Sequence, residues 1–112
     1  MTYGVRNKPG VSLAGLQPVM RKVIKLMAYE SSKHDAFATI SGGTETVNAK
    51  GVWYHSPGSL HPYGLALDFS LRDFPDDGAV RKELLVTIRE QLGRDYDVIL
   101  YSTHVHIEYD PK

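Results

Sequence analysis

The sequence predicts a single α+β domain spanning residues 1–112, with a small antiparallel sheet and two main helices. Three observations carry that expectation. Two segments hold apolar residues at helical spacing, Val19-Met20-Val23-Ile24-Met27-Ala28 and Val80-Leu84-Leu85-Ile88-Leu92. Two short segments near the end, "YDVILY" (96–101) and "HVHIEY" (104–109), read as strands joined by a tight turn at Ser102-Thr103. Between the helices, "GLALDFSLR" alternates apolar with small or polar residues at the period of a strand.

In chain order, residues 1–12 read as an irregular arm. A helix is expected from about Leu16, with Pro18 suited to its first turn and Arg21, Lys22 and Lys25 on its solvated face. His34, in "SSKHD", reads as a solvated helix-end residue. "AFATIS" (36–41) is a strand candidate. The stretch from Gly42 to Tyr63 contains four glycines and two prolines and has little periodicity. Loops beyond about 12–15 residues are uncommon in a compact domain and usually serve a function. Trp53 and Tyr54 argue against disorder in it, and the plainer alternative is a surface loop pinned by Trp53. The second helix is framed by "PDDG" before it and Gly93 after it.

Composition narrows the chemistry. Thirteen basic residues balance thirteen acidic ones, so no global field favours nucleic acid or anionic membranes. There are no cysteines, which excludes disulfides, iron–sulfur clusters and thiolate zinc sites. A transition metal would have to be held by carboxylates and the five histidines. "MTYGVRNKPGVSL" has no apolar signal-type core, and no stretch approaches 18 uninterrupted apolar residues. Synthesis in the cytoplasm without a signal peptide is therefore expected, with no membrane insertion and no implied protein partner.

Asp68, between Leu67 and Phe69, is the residue that demands an explanation. An isolated buried carboxylate is very costly. Alternation assigns Leu65, Leu67 and Phe69 to one face of the strand and Ala66, Asp68 and Ser70 to the other, so Asp68 can point into a cleft. His61 lies seven residues earlier, across a Pro62-Tyr63-Gly64 turn that can return it to the same cleft. In "HVHIEY", His104, His106 and Glu108 share one strand face. Zinc accepts imidazole nitrogen and carboxylate oxygen, and a catalytic site uses three protein ligands and keeps one position for water. His61, Asp68 and one histidine of the His-x-His pair would supply the three. A structural pairing of Asp68 with Lys or Arg is the alternative.

"SLHPYGLALDF" followed by "HVHIEYD" resembles the zinc D-Ala-D-Ala carboxypeptidase and L-Ala-D-Glu endopeptidase family, which includes small phage endolysins and shares its fold with the zinc domain of hedgehog proteins. Ser59, His61, Gly64, Ala66 and Asp68 match its Ser-x-His-x-x-Gly-x-Ala-x-Asp signature, and the resemblance runs from about Gly10 to Tyr109. It implies a hedgehog/DD-peptidase-like fold, Zn2+ held by His61, Asp68 and His106, and a peptidoglycan stem peptide as substrate. It also implies action on the cell wall after release or from a virion. Two positions depart from the family. Thr103 stands where many members carry an acidic general base, and "SGGTET" lacks the arginine of an "SGYR"-like stretch. His104 is then the candidate base, with Glu108 the weaker choice. His55, Tyr54 and Ser59 are candidates for substrate or oxyanion contacts, with His55, Lys50 or a backbone donor as substitutes for the arginine. The rival expectations are a zinc-stabilised binding module that has lost its base and, disfavoured by the neutral charge, a metal-dependent nuclease.

Overall fold

The computed structural model describes residues 4–45 and 59–112. Their elements run β1 (Val5–Asn7), α1 (Arg21–Ser32), β2 (Ala38–Gly42), β3 (Ala66–Ser70), α2 (Gly78–Leu92), β4 (Tyr96–Leu100) and β5 (His104–Tyr109), with 3-10 turns at Pro18–Met20 and His61–Tyr63. This is a small α+β fold with two helices and a five-stranded sheet ordered β1-β2-β3-β5-β4. Among the described residues, no helix is long and apolar enough to cross a membrane.

The expected wholly antiparallel sheet is corrected at one edge. β1 pairs parallel with β2, whereas the β2–β3, β3–β5 and β4–β5 pairs are antiparallel. Residues expected to be an irregular arm therefore supply an edge strand. Its three side chains are all exposed, so no apolar alternation betrays it. Backbone bonds hold it, Ala38 N–H donating to Gly4 O and Lys8 N–H to Ile40 O. Arg6 reinforces the edge through Thr39 and an ion pair with Asp73.

The sheet has two unlike faces. Ala38, Ile40, Leu67, Phe69, Val98, Val105 and Ile107 are buried together with Met20, Val23 and Met27 from the first helical segment and Leu84, Ile88 and Leu92 from α2. Each fully buried large apolar side chain contributes about 1.5–3 kcal/mol. A one-residue slip of a strand would turn that set outward, so the core fixes which residues face away from the helices. The burial of β5 alternates accordingly, with Val105 and Ile107 inside and His104, His106 and Glu108 part-exposed on the other face. The helices are bounded by local chemistry. Asp77 accepts from the N–H groups of Ala79 and Val80 at the start of α2, and Gly93 ends it at a φ of 82°. The first helix begins as a 3-10 turn at Pro18 rather than as regular α-helix.

The turn before β3 depends on Gly64. Its φ is 75°, and a Cβ there would lie 2.2 Å from Gly15 O. Its carbonyl accepts from Gln17 N–H at 3.0 Å, tying the approach to α1 onto this turn. Gly64→Ala should destabilise the protein by about 1–3 kcal/mol from backbone strain and the clash together. Urea unfolding monitored by circular dichroism gives that difference directly, and an unchanged midpoint would contradict it.

Candidate metal centre

The face without helices gathers the chemistry. Register sets Asp68 of β3 directly opposite His106 of β5, Ser70 opposite His104 and Ala66 opposite Glu108. Directly opposed residues on one face bring their Cβ atoms to about 4.5–5.5 Å. Asp68 Oδ1 consequently lies 2.8 Å from His106 Nδ1. On the other side, the β2–β3 register shifts between Ile40 and Gly42, so that Gly42 opposes Asp68. A Cβ on Gly42 would stand 2.6 Å from Asp68 Oδ2. The glycine leaves the carboxylate room.

His61 arrives from the 3-10 turn, capped by the Gly64 backbone, whose N–H donates to His61 O at 3.0 Å. Its ring is buried, with Nε2 3.3 Å from Asp68 Oδ2. Nδ1 lies 3.0 Å from Gly43 O. A carbonyl only accepts, so Nδ1 carries the proton and the Nε2 lone pair of the neutral ring faces Asp68. His106 is oriented the same way from the opposite nitrogen, its Nε2 lying 2.8 Å from Glu108 Oε1. Metal-binding histidines characteristically donate their second ring N–H to a carbonyl or carboxylate.

One donor atom each from His61, Asp68 and His106 lies within 4.8 Å of the others. Tetrahedral coordination with metal–ligand bonds near 2.0–2.1 Å separates donors by about 3.3 Å. His61 Nε2 lies at that distance, 3.3 Å, from Asp68 Oδ2, while His106 Nδ1 sits 2.8 Å from the other carboxylate oxygen, Oδ1. The residues fit a nitrogen- and oxygen-liganded cation. A second carboxylate group, Asp97, Glu108 and Asp110, is also close enough to hold a metal. There Lys112 Nζ lies 3.1 Å from Asp97 and 3.4 Å from Asp110 and supplies the positive charge.

The remaining sequence-predicted residues are distributed around this centre. His104 lines a cleft of about 700 Å3 together with Asp68, Ser70, Thr103, Lys8 and Arg72. Its Nε2 is 3.9 Å from Asp68 Oδ1, its Nδ1 is 2.9 Å from Thr103 Oγ1, and Tyr101 stacks on its ring. Ser59 Oγ accepts from His61 N–H at 3.1 Å, a contact that shapes the turn. Glu108 sits on His106. His34 is exposed and lies beside Phe74. Lys50, Tyr54 and His55 lie outside the described residues. Sequence reasoning missed the Gly43 carbonyl because a backbone group leaves no trace in residue identity. It also missed the orienting contact of Glu108, although the His-x-Glu spacing on one strand face was a signal for it. No protein-family model, curated protein or solved structure matches the chain.

Electrostatics couples the cluster. Burial pushes the Asp68 carboxyl up, but the neighbouring imidazoles of His106 and His61 outweigh it and hold the group well below the usual carboxylate range. The hydrogen bond to Asp68 raises the His106 imidazole, burial opposes the rise and Glu108 adds to it. In metal-free protein, then, the pairing with Asp68 favours a proton on His106. The depressed carboxylate contributes stability above its ordinary pKa of about 3.9 that is lost as pH falls. The raised imidazole contributes stability below its ordinary pKa of about 6.5 that is lost as pH rises through the raised value. In chelator, the melting-temperature gap between wild type and His106→Ala should be widest between about pH 4 and 6.5 and narrow on both sides. A gap that is flat from pH 3 to 9 would contradict this coupling.

Proposed function

We propose that the protein is a zinc peptidase of the D-Ala-D-Ala carboxypeptidase and L-Ala-D-Glu endopeptidase type, with a hedgehog/DD-peptidase-like fold. On this reading it hydrolyses one of those bonds in peptidoglycan stem peptides, as phage lysins do. The observation that carries the reading is the convergence of His61, Asp68 and His106 beside an open cleft, each histidine oriented through its second ring nitrogen. When bound, zinc lowers the pKa of water to about 7 and polarises a scissile carbonyl.

The chain's own residues supply the rest. Asp68 and the two histidines hold the cation. His104 is the group that moves the proton, since a neutral imidazole can accept one through its free ring nitrogen. Thr103 Oγ1 can accept from His104 Nδ1–H, leaving Nε2 with its lone pair on the Asp68 side. The threonine then orients a base where the family's acid would be one. Glu108 is the weaker candidate because its carboxylate is engaged on His106. Lys8 and Arg72, on the cleft wall, suit a substrate that bears carboxylates and offset the missing arginine. Ser59, Tyr54 and His55 remain proposed substrate or oxyanion contacts. The cell wall, reached after release or from a virion, is the proposed site of action.

The second reading is a zinc-stabilised binding module, favoured by the absence of a carboxylate at Thr103. Zinc analysis comes first. Protein reconstituted with zinc should hold close to one ion per chain, Asp68→Ala and His106→Ala should hold none, and His34→Ala should match wild type. Zinc-free wild type after reconstitution would sink both readings.

Turnover of purified muropeptides then separates them. His104→Ala should keep its zinc and lose about 10²–10⁴-fold in rate, the usual contribution of general-base catalysis. A wild type that binds zinc but cleaves no stem-peptide bond would leave the binding module as the better account.

A further inference from the structure

Glu45 follows β2 and is buried, outside both potential metal-donor groups found among the described residues. Both its carboxylate oxygens accept from Gly43 N–H, at 3.1 and 2.9 Å, and Oε1 also accepts from Ser12 N–H at 2.9 Å. The next peptide is gripped as well, with Thr44 N–H donating to Ser12 O at 2.6 Å and the Thr44 hydroxyl to the same oxygen at 3.1 Å. Gly43 thus has its N-terminal peptide plane fixed by Glu45 and its C-terminal plane fixed by Ser12. It can carry no side chain, because a Cβ would lie 2.1 Å from Ser12 O.

The second of those planes contains the carbonyl that faces His61 Nδ1. Glycine is otherwise the residue most free to rotate. A carboxylate is costly to bury unless it is hydrogen-bonded, and the partners of this one include the N–H groups of Gly43 and Ser12.

We propose that Glu45 is a positioning residue for the metal centre. Through the Gly43 N–H, and through the N–H of the Ser12 whose carbonyl holds Thr44, it aims the carbonyl that keeps the proton on Nδ1 of His61, so that Nε2 is the donor offered to the cation. The proposal rests on the reading of His61 as a metal ligand.

The test uses the full chain loaded with zinc, with histidine ring N–H signals followed by NMR and affinity measured by competition with a chelator. Wild type should show a slowly exchanging His61 Nδ1–H. Glu45→Gln should exchange that proton at least about tenfold faster and bind zinc about 10–100-fold more weakly, the usual cost of losing an outer partner of a metal-binding histidine. The His106 Nε2–H signal should be unchanged in the variant.

Equal loss of the His61 and His106 signals would assign Glu45 a general structural role and overturn the proposal. So would a Glu45→Gln affinity equal to that of wild type. Absence of a protected His61 Nδ1–H in wild type overturns it without any variant, which covers a Glu45→Gln chain that does not fold. Failure of wild type to bind zinc would overturn the ligand reading itself, and Glu45's role with it.

Discussion

The pairing of β3 with β5 governs the rest of the molecule. Leu67 opposite Ile107 and Phe69 opposite Val105 lie in the core, which leaves Asp68 opposite His106 on the far face. The same register that buries the apolar pairs therefore brings a carboxylate and an imidazole to hydrogen-bonding distance. Stability and site are one constraint here. A strand shift that relieved the polar pair would drive two histidines and a glutamate into the space between sheet and helices, where ionised groups are costly.

Around that pair, the third donor is delivered by local backbone geometry. His61 is only seven residues from Asp68 in sequence, but it returns to it through a 3-10 turn whose last residue, Gly64, has a left-handed backbone. The turn is held from outside by Gln17, and the carbonyl that orients the His61 ring comes from the end of β2. Segments near Ser12, Gln17 and Gly43 thus support a centre to which none of them contributes a donor.

Much of this was legible in the sequence because it rests on side-chain periodicity. Alternation in "GLALDFS" and "HVHIEY" gave the faces of both central strands, and the apolar stripes gave both helices. The "HPYG" turn gave the approach of His61. What escaped detection rests on backbone groups or on long-range pairing. β1 has three exposed residues and is defined by hydrogen bonds to a strand more than thirty positions away. The role of Glu45 depends on N–H groups of Ser12 and Gly43, which no residue pattern encodes. The strand expected at 36–41 appears as Ala38–Gly42, because Ala36 still bonds back to Ser31 at the end of α1.

The edge strand β1 has a further consequence, for association rather than for the site. An open sheet offers unpaired backbone groups at both ends, and these invite addition of strands from other chains. Here one end is only three residues long and carries Arg6 at its centre, committed to Thr39 and Asp73. At the other end, Arg89 reaches from α2 to donate to the Val98 carbonyl at 2.8 Å. A short, charged edge and a guanidinium-capped carbonyl both disfavour strand-on-strand growth. The polar face can therefore stay open to solvent without the sheet becoming a template for its own copies.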